Sequence, residues 1–117
     1  MEITPKLVIT FGSRVSGQSH PDSDYDVAIL ADKQLTLNLK NELCDKLAEQ
    51  LGTSPHLVDL VDIQIASPLL KRIIADGKLM AGSQEEFLKF KLLAWREYID
   101  TARFRMFRSQ SLKEGIA

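Results

Sequence analysis

A single cysteine, Cys44, stands among 117 residues. It has no partner for an internal disulfide and no second thiol for a cysteine-based zinc site. That favours a reducing compartment. Long apolar runs are missing too: those present are short and broken by charges, so no segment reads as a membrane span. Residues 1–14 lack a charged stretch followed by an apolar one, which argues against a secretory signal. These absences make the cytoplasm the default address. There is no excess of charge either. Fifteen basic against 16 acidic residues leave a net charge of −1, so no global attraction draws the chain to nucleic acid or to an anionic membrane. Repeats, low-complexity tracts and linker-like stretches are absent as well. The balance of 44% hydrophobic and 26% charged residues is that of an ordinary globular protein, and the length suits one compact domain over residues 1–117.

The apolar pattern predicts the elements. Lys6–Phe11 (KLVITF) is β-branched, apolar and stopped by Gly12, which reads as a buried strand. Gly12–Asp22 is rich in Gly, Ser, His and Pro and predicts one helical turn followed by a loop. Asp24–Leu30 (DYDVAIL) predicts a second strand, apolar on both faces at its end as in a covered sheet. Thr36–Leu51 has helical spacing, with Leu39, Leu43, Leu47 and Leu51 every fourth residue and Gly52 as the stop. Leu57–Ile65 (LVDLVDIQI) alternates and predicts a third strand. Ser67-Pro68 reads as the N-cap and first residue of a helix that ends near Asp76, before Gly77. A short edge strand is expected at 78–80. Ser83 to Glu86 has capping-box spacing and opens a long helix over about 84–108. Phe87, Phe90, Leu93, Ala94, Tyr98, Ile99, Ala102 and Met106 fall on or near one of its faces, and the tail after Ser109 is expected to fray. The order predicts an α/β (α+β) fold: a small mixed sheet flanked by helices over about 6–80, followed by a long C-terminal helix.

Three carboxylates stand out. Asp24 and Asp26 lie two apart at the start of a strand, so both side chains share one face. Two like charges that close are tolerated best with a cation between them, and hard oxygen ligands suit Mg²⁺. A third carboxylate can come from the strand Leu57–Ile65, which offers Asp59 and Asp62. These are three apart and face opposite ways in a regular strand, so at most one joins the pair. Asp59 is favoured, because the buried run Leu60-Val61 follows it. Upstream, Gly12 lets the backbone approach a ligand closely. Ser13 offers a hydroxyl and an N–H, and a helical turn beginning there would present free N–H groups to a phosphate. Arg14 adds positive charge. A phosphate cradle beside a metal cluster suits phosphoryl or nucleotidyl transfer with two metal ions.

Gly12-Ser13, ten residues, then Asp24-Tyr25-Asp26 resembles the signature of the DNA polymerase β-like nucleotidyltransferases. FGSRVSG with PDSDYDVAIL, and then VDLVDIQIASPLLKRIIADGKLM, look like the two halves of the minimal nucleotidyltransferases. The resemblance covers residues 6–80, and in it the third carboxylate falls on Asp59 while Asp62 falls on a variable position. The subgroup the chain is most similar to is that of the MntA-type antitoxins, encoded beside HEPN ribonuclease toxins. The resemblance implies transfer of AMP from ATP to a tyrosine of the toxin. It also implies two Mg²⁺ ions held by Asp24, Asp26 and Asp59, and a triphosphate held by Gly12, Ser13 and Arg14. Family members often carry a helix before the first strand. Here about five residues precede it, so a partner or a second copy is expected to cover that flank of the sheet.

Other polar residues have plainer readings. Ser16 and Ser23 read as loop hydrogen-bonders, His20 as a solvated loop residue, His56 as the residue before a strand, and Cys44 as a small core residue among helix leucines. The C-terminal stretch is basic on balance, with Trp95, Tyr98, Phe104 and Phe107 interleaved. Arginines mixed with aromatics are enriched at interfaces, which favours a partner surface over a merely solvated face. Two alternatives to a catalytic antitoxin stand beside it: an antitoxin acting by occlusion, and a dimeric transferase acting on a small alcohol.

Overall fold

The computed structural model describes residues 5–12 and 24–113, with side chains to residue 103. Four short strands, β1 (Leu7–Phe11), β2 (Tyr25–Leu30), β3 (Val58–Asp62) and β4 (Lys78–Ala81), form one sheet in the order β3-β2-β1-β4. β1 pairs antiparallel with β2 and with β4, whereas β2 and β3 run parallel. A parallel pair needs a crossover, and the segment carrying α1 (Leu37–Leu51) supplies it. Two further helices follow, α2 (Pro68–Ala75) and α3 (Gln84–Lys113).

Strand alternation sorts the core into two layers. Val8, Val27, Ile29 and Val58 pack with Leu47 and Ala48 of α1 on one face. Leu7, Ile9, Phe11 and Ala28 pack on the other with Ile74 and Ala75 of α2 and Phe87, Phe90 and Ala94 of α3. Leu7, Ile9, Ile29 and Ile74 lose all contact with solvent, and each such side chain contributes about 1.5–3 kcal/mol of burial.

Caps set the helix bounds. Thr36 is the N-cap of α1, its hydroxyl accepting from the Leu39 N–H at 3.2 Å. Gly52 closes that helix at φ +69°, with its N–H directed to the carbonyls of Ala48 and Glu49. Only glycine adopts that conformation without a Cβ penalty. Ser67 accepts from the Leu70 N–H at 3.2 Å, with Pro68 next in the first turn. Ser83 accepts from the Glu86 N–H at 3.0 Å.

Three expectations change. The segment 57–65 is not one strand: 3₁₀ turns at Pro55–Leu57 and Ile63–Ile65 flank β3. Asp62 causes the second turn, because its carboxylate accepts from the Gln64 N–H at 3.0 Å and pulls the backbone round. On α3, the face grouped from the sequence divides: Phe87, Phe90 and Ala94 are buried in the core, whereas Leu93 and Ile99 are 65% and 46% exposed. The helix also continues to Lys113, beyond the expected end.

Candidate active site

The site lies where the sheet's apolar core stops. The pairing register sets Phe11, Asp26 and Asp59 side by side across β1, β2 and β3. The next row of the same face is Ile9, Ala28 and Val61, which belongs to the α2–α3 core. The two carboxylates therefore extend that face by one row beyond its apolar part. Phe11 is buried beside them, Asp26 is half-buried, and Asp59 is exposed on the edge strand. Asp24 precedes β2 and is exposed. Tyr25, between the two aspartates, turns to the opposite face and packs against the α1 layer.

Burial first, then the negative charges of Asp59 and Asp24, hold the Asp26 carboxyl above the usual range, and hydrogen bonding with Asp59 adds to this. Two carboxyl groups in such contact cannot both ionise without cost unless a cation intervenes. Among the described residues, no three carboxylate, histidine or cysteine groups already form a metal cage. What exists is an Asp26–Asp59 pair under the field of Asp24. This set of hard oxygen donors at a sheet edge fits a hard divalent cation.

Gly12 completes the described site. At φ +84° it leaves β1 in the left-handed region, and a Cβ there would lie 2.1 Å from Oδ2 of Asp26. The position must be glycine on both counts. The missing side chain leaves the Asp26 carboxylate its place against the Gly12 backbone. Ser13 and Arg14 lie outside the described residues, as do Ser16, His20 and Ser23.

Asp62 does a different job, one not foreseen in the sequence. It is 2% exposed, on the opposite face of β3 from Asp59, and accepts from the Leu35 N–H at 2.8 Å as well as from Gln64. It ties the end of β3 to the segment leading into α1. The three-residue offset from Asp59 already separated the faces, but nothing local announced the Leu35 contact, which spans 27 residues. Cys44 is half-buried, and its thiol donates to the Val58 carbonyl at 3.9 Å. His56 is exposed in the turn before β3. No described helix is long and apolar enough to cross a membrane.

A mixed sheet with paired carboxylates at the row beyond its core, and a left-handed glycine against one of them, is the arrangement of a nucleotidyltransferase. The chain matches the family described as Polymerase beta, Nucleotidyltransferase over residues 2–86, and it belongs to that family. It is 34% identical over 101 residues to the protein adenylyltransferase MntA of Shewanella oneidensis, spanning 84% of this chain and 70% of that protein. It is also similar to a chain of a toxin–antitoxin crystal structure with AMP-PNP, with a TM-score of 0.72 and 32% identity over 97% of this chain and 90% of that one. A third match is a chain in the complex of tri-AMPylated Shewanella oneidensis HEPN toxin with MNT antitoxin. There the TM-score is 0.65 and the identity 28%, over 97% of this chain and 84% of that one.

Proposed function

We propose that this chain transfers AMP from ATP to a tyrosine hydroxyl of a cognate HEPN ribonuclease toxin and so neutralises it. The observation that carries this reading is the Asp26–Asp59 pair on adjacent parallel strands, with Gly12 opposite. Family membership supplies the reaction class. Similarity to an adenylyltransferase, and to complexes with AMP-PNP and with a tri-AMPylated HEPN toxin, supplies the donor nucleotide and the acceptor.

In this reading Asp24, Asp26 and Asp59 would hold two Mg²⁺ ions. Such ions neutralise triphosphate charge and acidify an attacking hydroxyl. Gly12 admits the triphosphate close to the backbone, Ser13 donates to it, and Arg14 balances its charge. The tyrosine hydroxyl approaches Asp59, the more exposed of the pair, and gives up its proton there. Its oxygen forms a bond to the α-phosphorus in line as the bond to the bridging oxygen breaks, and pyrophosphate leaves. The protein's contribution is alignment and a fixed field. ATP and a reduced Cys44 both suit the cytoplasm.

The test is incubation with ATP and Mg²⁺, with and without the toxin, followed by intact-mass measurement of both chains. The expected result is an added AMP on the toxin, lost in Asp24→Asn/Asp26→Asn. An unmodified toxin held inactive in a tight complex would replace this reading with occlusion. Transfer to a small alcohol without any toxin would replace it with the dimeric small-molecule enzyme.

A further inference from the structure

The long helix carries an apolar stripe left exposed among the described residues. Leu88, Leu92, Trp95 and Ile99 of α3 are 46–64% exposed. They follow one another by four, three and four residues, the spacing of a coiled-coil seam. The core side of the helix is satisfied separately by Phe87, Phe90 and Ala94. An exposed stripe of this size marks an interaction surface. Its spacing fits another helix, because a straight α-helix presents such a row to a neighbour over several turns.

Charge on the two edges of the stripe says which helix. Lys89, Arg96 and Arg103 lie along one edge; on the other are Lys91, over the Phe87 ring at 4.3 Å, and Arg72, ion-paired with Asp76. The Arg72 guanidinium stacks on the Trp95 ring at 4.5 Å and ties the stripe to α2. Lys89 approaches Glu85 and Glu86 at 3.8–3.9 Å, but Arg96 and Arg103 have no carboxylate partner among the described residues. These two arginines are seven residues apart, one heptad. A second copy of the chain packed antiparallel would set the Arg96–Arg103 edge against itself, which disfavours a homodimer there. Nucleic acid would answer the charge, but three of the four apolar residues are aliphatic, and single-stranded nucleic acid stacks on aromatic rings.

We propose that the stripe Leu88–Leu92–Trp95–Ile99 is the docking surface for an amphipathic helix of the partner toxin, one whose apolar face is edged by acidic residues placed to meet Arg96 and Arg103. This rests on the toxin being the acceptor. The seam would hold the acceptor protein while the carboxylate row at the sheet edge acts on it.

The experiment uses the full chain and the full toxin. Two variants, Leu92→Asp/Ile99→Asp and Arg96→Glu/Arg103→Glu, are compared with wild type by calorimetric binding to the toxin, by circular-dichroism melting and by binding of AMP-PNP with Mg²⁺. The apolar variant is expected to bind the toxin at least 100-fold more weakly. The charge variant is expected to lose at least tenfold, with a flatter salt dependence. Both should melt and bind nucleotide as wild type does. A photo-crosslinking residue at position 92 should capture a toxin peptide rich in Asp and Glu. Wild-type toxin affinity in both folded variants would overturn the docking surface and leave AMP transfer standing. No binding of toxin by wild type would overturn both readings. A wild-type dimer abolished by Leu92→Asp/Ile99→Asp would assign the seam to a second copy. RNA binding lost in Arg96→Glu/Arg103→Glu would assign it to nucleic acid.

Discussion

Replacing Asp26 by Asn should make the protein more stable and inactive at once. Asp26 is half-buried, sits under the charges of Asp59 and Asp24, and has its carboxyl held above the usual range. A raised carboxyl means that the fold favours the protonated form, so ionising it at neutral pH costs folding free energy. Two unit charges about 4 Å apart interact by about 4 kcal/mol at an effective dielectric of about 20. Asp59 is exposed, and solvent screening reduces that figure to roughly 1–2 kcal/mol. Asn keeps the shape, removes the charge and donates to Asp59. The variant should therefore melt about 4–8 °C higher without divalent cation, read by calorimetry at neutral pH. Cation reverses the comparison. At ten times its dissociation constant a bound ion stabilises wild type by about 1.4 kcal/mol, and the variant should respond far less. The pH profile follows from the same sign. The gap between variant and wild type is full above the raised pKa of Asp26. It closes as pH falls through that value, and is gone below about pH 4, where the group is protonated folded and unfolded alike. AMP transfer should drop at least ~100-fold, since even groups that merely orient a metal ligand are worth 10–100-fold. A variant that melts lower than wild type without cation, or that keeps full transfer, refutes the reasoning.

Other substitutions separate the roles of neighbouring residues. Gly12→Ala should lose about 1–3 kcal/mol in urea titration, because its φ is +84° and its Cβ would strike Asp26; transfer should fall with it, and an Ala variant with native stability would remove the close approach from the site. Asp62→Ala should cost about 2–3 kcal/mol, since it leaves the buried Leu35 N–H without its acceptor and frees that of Gln64. Its folded fraction should keep wild-type turnover, whereas Asp59→Asn should do the opposite, and equal activity losses in the two would erase the distinction. Ser83→Ala should cost ~1 kcal/mol by removing the N-cap of α3, visible as a lower melting temperature with no change in turnover.

Much of this was legible along the chain, and the reasons are local. The β-branched runs around Ile9 and Ile29, the Ser67-Pro68 and Ser83 caps and the stop at Gly52 are set by neighbours within four residues, and they stand where their patterns predict. Asp24 and Asp26 stood out by their spacing; the strand itself begins at Tyr25, and Asp24 acts on the Asp26 carboxyl through its charge. On the long helix the apolar pattern grouped Phe87, Phe90 and Ala94 with Leu93 and Ile99, because hydropathy does not tell a buried face from an exposed one. The structure buries the first three and leaves Leu93 and Ile99 exposed.

Tertiary structure decided what distance along the chain conceals. Sequence period could say only that Asp59 and Asp62 point apart. The parallel pairing of β3 on β2 sets Asp59 beside Asp26, while the Leu35 N–H claims Asp62 for the interior. Glycine at position 12 suggested a ligand, and the fold gives the reason it is required: the Asp26 carboxylate occupies the space a side chain would take. The sequence by itself determined most of the described elements, their caps and the set of candidate carboxylates, because those depend on backbone preference and spacing over a few residues. Which carboxylate faces the site, and which half of the long helix's apolar surface stays bare, depended on pairings across more than 25 residues, where only the packed chain brings the charges and the methyl groups together.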